Sequence, residues 1–219
     1  MRAKIAIVPM VLFGLCLAAS AARADMEEDV DRAVSIIERF QEIPESAIPP
    51  AVLRDAKGLA ILTMTKAGFI VSGRGGTGVI VARTENGWSG PSAIGTGGLG
   101  VGFQAGVQVS EYVIVLNTQE AVNAFSKGRN VTLGGNLSAA IGPLGRSAEA
   151  GVTPQAAIYT YSRNQGIFAG VSLEGTVIGT RYEANEQYYG RPVFPLDILA
   201  GKEKPPPSAQ KLLDVLSKY

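Results

Sequence analysis

Histidine is absent from this chain, and its single cysteine, Cys16, lies in an apolar leader. From Asp25 onward there is neither. That excludes disulfides, thiolate or imidazole metal sites, cysteine nucleophiles and histidine general bases together. What remains for catalysis is a Ser-Lys or carboxylate pair. The residues available to one are Ser72, Ser126, Lys127, Glu149 and Glu174, and no motif orders them. Tryptophan occurs once, at Trp88, and reads as a core or sheet-face anchor rather than a ligand platform. The Gly-Lys-Ser/Thr ending of a P-loop is missing, and so is any recognised nucleic-acid motif.

A dominant charge is lacking too, because the formal net is +1. Met1 to Ala24 reads as a targeting segment: Arg2 and Lys4 give a positive start, Ile5 to Ala19 is apolar, and Ala22-Arg23-Ala24 fits a small-x-small cleavage site. The run is short for a membrane span, so the expectation is a cleavable signal over residues 1–24. It would export the chain to a periplasm or the extracellular space, where it could associate with a membrane. Leu15 precedes Cys16 where a lipoprotein signal needs a small residue, which disfavours lipidation. Residues 25–44 hold seven acids and two arginines, whereas residues 45–182 hold seven acids and ten basic residues. An acidic leader helix thus precedes a mildly basic body. The body is too weakly basic for nucleic acid but is compatible with anionic lipid heads.

What the chain has in abundance is glycine. Two runs spell G-x-G-x-x-G, Gly73 to Gly78 and Gly95 to Gly100. A dinucleotide site would need a helix after the run, with its N-terminus on the pyrophosphate. Val79-Ile80-Val81 follows the first run, and Val101, Phe103, Ala105, Val107 and Val109 alternate with Gly102, Gln104, Gly106 and Gln108 after the second. Both continuations are strand-like. The runs are read as antiparallel strand glycines where backbones pack or bend closely.

In chain order, Asp25 to Gln41 forms a helix with Val30, Ala33, Val34, Ile37 and Phe40 on one stripe. It is read as packed on the body, with a detachable amphipathic helix as the alternative. Pro49-Pro50 opens a short helix that Gly58 ends. Strands follow at Leu59–Thr65, Ala67–Ser72, Thr77–Ala82, Leu99–Val109 and Tyr112–Leu116, with a turn at Asn86-Gly87. Thr118 caps a helix with Ala121, Val122 and Phe125 inward, stopped at Gly128. Val131–Ile141 is a further strand, and Ala156–Ser162 with Ile167–Leu173 a hairpin. Helical turns at Ala184–Tyr189 and Phe194–Ala200 precede a proline-rich spacer and a last helix that Ser208 caps. The expected class is α+β: a glycine-rich, mostly antiparallel sheet, curled or closing into a partial barrel, with an N-terminal helix, an inserted helix and C-terminal helices. The expected domain covers residues 25–201, with residues 202–219 a spacer and C-terminal helix.

Several runs carry a resemblance: Ala56–Ile61, Lys66–Phe69, Ser72–Arg74, Trp88–Gly95, Asn130–Ser138 and Gly166–Gly175. In this order they resemble the SYLF domain family, over about Val30 to Gly201. The resemblance implies a non-enzymatic module without cofactor that binds anionic phospholipids, phosphoinositides among them. It also implies an actin-binding alternative, known from yeast actin-patch members and open only to a cytosolic chain. The candidate head-group contacts are Lys57, Lys66, Arg74, Lys127 and Arg129. Lys57 and Lys66 flank an apolar strand, Arg74 lies among glycines whose backbone can approach a phosphate, and Lys127 and Arg129 follow a helix end.

Overall fold

The computed structural model describes residues 26–42, 47–69, 71–101, 106–128, 130–132, 139–141, 156–165 and 177–219. Helix α1 is Met26–Gln41 and α2 is Pro50–Asp55. Strands β1 (Gly58–Phe69), β2 (Val71–Thr84), β3 (Gly87–Trp88), β4 (Ser92–Val101) and β5 (Gly106–Leu116) follow. Helix α3 (Gln119–Ser126) precedes β6 (Val131–Thr132), β7 (Ala139–Ile141), β8 (Ile158–Gln165) and β9 (Val177–Thr180). Helices α4 (Tyr182–Tyr189), α5 (Pro195–Leu199) and α6 (Gln210–Leu216) close the chain.

Local chemistry explains most boundaries. Pro50 occupies the first turn of α2, where its missing N–H has no partner to lose. The Thr118 hydroxyl accepts from the Ala121 N–H at 3.2 Å, and Ala121, Val122 and Phe125 are buried. Gly58 does not end the α2 helix as expected; it opens β1. The Lys57 N–H already donates to Leu116 O at 2.8 Å and its carbonyl accepts from Arg83 at 2.8 Å, so strand pairing claims the backbone just after Ala56. Ala67–Ser72 is likewise no separate strand, but the end of β1 and the start of β2. Ser208 does not cap α6 with its side chain; it sits in a 3-10 turn, Pro207–Ala209, and its hydroxyl donates to the Tyr188 hydroxyl at 3.0 Å. The Ile167–Leu173 half of the expected hairpin lies outside the described residues.

The sheet order is β6-β9-β4-β2-β1-β5-β8-β7, with β3 paired to β2. Every pair is antiparallel except β7 with β8. The two glycine runs lie side by side in β2 and β4, with Gly75 opposite Gly97. The expected strand over Val131–Ile141 is divided, because β6 and β7 occupy opposite ends of the order. That division bounds the sheet's shape. Laid flat, seven strand spacings of about 4.8 Å would separate these ends by about 34 Å. Thr132 and Ala139 are seven residues apart and reach at most about 25 Å. The sheet must therefore curl, giving the α+β half-barrel expected from the sequence. Glycines permit the curl: a Cβ on Gly76 would run into the Thr63 carbonyl oxygen and lie 3.0 Å from Met64 Cα, and one on Gly78 would collide with the backbone of Ile61 and Leu62.

Both faces of the sheet are covered near the start of β1. On one, α1, α2, α4 and α6 bury Leu59, Ile61, Val79, Val81 and Val113. On the other, α3 and Leu199 of α5 cover Ala60, Leu62, Ile80 and Ile114. Helix α1 is packed rather than free, with Val30, Ala33, Ile36, Ile37 and Phe40 buried. Two ion pairs also fix it. Arg39 meets Glu111 through two bonds, Nη2 to Oε1 at 2.5 Å and Nε to Oε2 at 3.1 Å. Asp29, 2% exposed, accepts from the Thr77 hydroxyl at 2.7 Å and pairs with Arg181 at 2.6 Å. Burial raises the Asp29 carboxyl pKa by more than Thr77, Arg181 and Arg32 lower it.

Two predictions follow from this packing. Gly76→Ala should cost about 2 kcal/mol in urea unfolding. Gly73→Ala, whose Cβ would meet nothing within 4 Å, should stay within about 0.5 kcal/mol of wild type. For Asp29, the folded chain holds the proton more tightly than the unfolded one. The stability this gives is complete below the ordinary carboxylate pKa of about 4 and is lost as pH rises through the raised value. Asp29→Asn removes that dependence, so its stability relative to wild type should climb as pH rises above about 4. A gap that moved the other way would mean the partners outweigh burial.

Candidate functional site

Directly opposed residues in a sheet share a face. Along β1 the face covered by α3 runs Ala60, Leu62, Met64, Lys66. The register places Arg74 of β2 opposite Lys66, with Gly98 of β4 beyond Arg74 and Gln108 of β5 beyond Lys66. The next row holds Thr96, Gly76, Met64 and Ser110, and the one after it Ile94, Gly78, Leu62 and Tyr112. This face therefore turns from apolar to cationic within two rows. Among the described residues, no acidic residue lies on it in β1, β2, β4, β5, β8 or β9. Glu111 and Arg163 both lie on the opposite face.

Arg74 lies over a bare stretch of β4. A Cβ on Gly98 would stand 2.8 Å from Arg74 Nε and 3.6 Å from Cζ, so only glycine lets the guanidinium rest there. Three polar atoms on the same face are buried without a hydrogen-bond partner of ordinary geometry: Thr96 Oγ1, Gln108 Nε2 and the Tyr112 hydroxyl. Tyr112 is 0% and Gln108 5% exposed. Burial raises the Tyr112 phenol pKa, and the neighbouring Ser110 and the Arg74 charge partly oppose it.

Of the five cations expected at a head group, the structure brings Lys66 and Arg74 together. Lys57 is exposed at the far end of β1, nine residues and about 30 Å along the strand from Lys66. Lys127 is exposed where α3 ends, its N–H donating to Asn123 O at 3.2 Å. Arg129 lies outside the described residues, as do Glu149 and Glu174. Ser126 donates its hydroxyl to Val122 O at 2.9 Å inside α3. Trp88 is a half-buried anchor: Nε1 donates to Leu216 O at 3.0 Å, and the Arg83 guanidinium carbon sits 3.9 Å from the ring centroid. The sequence reading missed Thr96, Ser110 and Tyr112. It had already placed Gln108 among the polar alternates of its strand, but burial of those alternates is a tertiary property.

Residues 97–219 match the protein-family model Ysc84, described as "Las17-binding protein actin regulator". The chain is 46% identical over 204 residues to human SH3 domain-containing YSC84-like protein 1, covering 90% of this chain and 60% of that protein. It is 44% identical over 205 residues to the Xenopus laevis protein of that name, covering 90% and 61%. It is also 50% identical over 177 residues to LAS seventeen-binding protein 3 of Saccharomyces cerevisiae, covering 78% and 39%. The chain thus spans about 60% or less of the length of these relatives. On these matches the chain belongs to the Ysc84 family, the family of the SYLF domain.

Proposed function

We propose that this domain is a non-enzymatic module that binds anionic phospholipid at a membrane surface, with Arg74 and Lys66 at the head group. One observation carries the reading: the two cations are cross-strand neighbours on a face without a described acidic residue, next to the point where Leu62 and Met64 end its apolar part. A phospholipid offers the matching sequence of anion and hydrocarbon. Among the described residues no helix is long and apolar enough to cross a membrane, and surface binding needs none. The leader of residues 1–24 supports delivery by export.

Filament binding is the second reading, favoured by the actin-regulator description of the matched family model. It requires a cytosolic chain. Retention in the cytosol of a reporter fused to residues 1–24, followed by co-sedimentation of the domain with filaments, would favour it over the lipid reading.

The lipid test is sedimentation with vesicles of phosphatidylcholine alone and with added phosphatidic acid. A basic residue near a charged surface contributes about 1 kcal/mol. Arg74→Gln and Lys66→Gln should therefore each lower partitioning about fivefold, while Lys57→Gln and Lys127→Gln leave it near wild type. Added salt should weaken all binding. Equal partitioning onto neutral and anionic vesicles would sink the reading.

A further inference from the structure

Past the cations the sheet ends on apolar residues. Strand β1 stops at Phe69 and β2 starts at Val71, and the register sets Phe69 opposite Val71 and Val71 opposite Val101. Two residues back, Ala67 stands opposite Gly73 and Val107. Val107 is 67% exposed, and Thr65, Ala67, Gly73, Gly75 and Gly97 are exposed with it. A Cβ on Gly73 or Gly97 would meet nothing within 4 Å, so no described group lies over the sheet there. Helix α1 crosses the sheet further back, along the row of Thr63: Asp29 meets Thr77 and Arg39 meets Glu111, the two residues opposite Thr63. Among the described residues of β1, β2, β4 and β5 beyond the Met64 row, the charged ones are Lys66 and Arg74, two cations without an acid. A strand end enters hydrocarbon only where its backbone N–H and C=O groups are met inside the protein. Here β1 and β2 are inner strands, paired with each other through Phe69 and Val71, with β5 through Gly106 and with β4 through Val101. A second copy stacked on this end would set like charges together, whereas an anionic bilayer offers phosphate to the cations and hydrocarbon to the apolar rows.

We propose that this end of the sheet, carried by Phe69, Val71, Val101 and Val107, enters the hydrocarbon of an anionic phospholipid bilayer while Lys66 and Arg74 stay at the phosphates. The inference rests on the lipid reading and adds which part of the fold goes in and how far. The lengths agree. Phe69 lies three residues past Lys66 along β1, about 10 Å in an extended strand. A strand tilted by about 45° still reaches about 7 Å past the phosphates, and the polar layer of one leaflet is about 6 Å deep. The row of Thr63, with the ion pairs of α1, lies as far from Lys66 on the other side and stays in water.

The test is tryptophan quenching in the full chain by phospholipid brominated near the top of its acyl chains, in vesicles of phosphatidylcholine alone and with added phosphatidic acid. Trp88 pairs opposite Arg83, about 40 Å along β2 from Val71, and serves as the internal control. On anionic vesicles Phe69→Trp should gain emission that shifts to the blue and that brominated lipid quenches, while wild type shows neither change. Val107→Trp gives the same readout from an exposed position if Phe69→Trp does not fold. Val107→Gln should lower vesicle partitioning roughly tenfold, the weight of one buried valine side chain. It should melt as wild type does, because the residue is exposed. That loss should persist at high salt, whereas the Arg74→Gln loss fades. Vesicle binding without quenching of either added tryptophan overturns the insertion and leaves the lipid reading standing. Equal binding and quenching on neutral vesicles keeps the insertion and removes the anionic lipid. No vesicle binding at all removes both. A lipid-free dimer that Val107→Gln dissociates also overturns the insertion, since a second copy would then hold this face.

Discussion

Where β2 passes Thr63 and Met64 of β1, the backbones come too close for a side chain to fit between them, and Gly76 and Gly78 supply none. Much of the architecture follows from that approach. A strand pair drawn together so tightly bends, and the bend brings the distant ends of the sheet within the reach of the six residues between β6 and β7. Curvature is thus written into the choice of residue, because a side chain at Gly76 or Gly78 would force β1 and β2 apart.

The two sides of the sheet solve different problems. Under α1 the charges are paired across elements, Asp29 with Arg181 and Arg39 with Glu111, and they orient a helix whose apolar stripe supplies the attraction. Burying such pairs adds little net stability, because desolvation offsets the Coulomb gain. They do fix one register of helix on sheet. Under α3 the cover is apolar and stops short of the cations. A helix fastened in this way to one face is a poor candidate for the head-group contact proposed above, and that proposal uses the other face. Of the acids in the first turn of α1, Asp29 has a structural use, since it is buried against Thr77 and Arg181.

Much of this was legible in the residues. Alternation after the second glycine run pointed to strand, although the expected single strand Leu99–Val109 is shared between the end of β4 and the start of β5. Thr118, Ala121 and Phe125 gave α3 its cap and inward face, and the α1 stripe gave its packing. Other features needed information that spacing does not hold. Whether Lys66 faces Arg74 depends on register, and a slip of one residue would have put them on opposite sides. Val131–Ile141 looks like one strand because its residues favour one. Its division between opposite ends of the sheet is set by strand order, to which local propensity is blind. Ser208 had the chemistry of a cap, but a partner hydroxyl on α4 and a preceding proline turn took it. Asp29 read as one of several leader acids. Only the positions of Thr77 and Arg181, distant in sequence, make it a buried one.

The bond from Trp88 to the last turn of α6 gives the molecule a built-in optical reporter. The chain has one tryptophan, its indole N–H rests on Leu216 O, and a guanidinium lies over its ring. Intrinsic fluorescence therefore originates at the seam between the β2–β3 turn and the C-terminal helix. Release of that helix would change the emission while the sheet stayed paired, so light from this seam separates loosening of the chain's end from loss of its core.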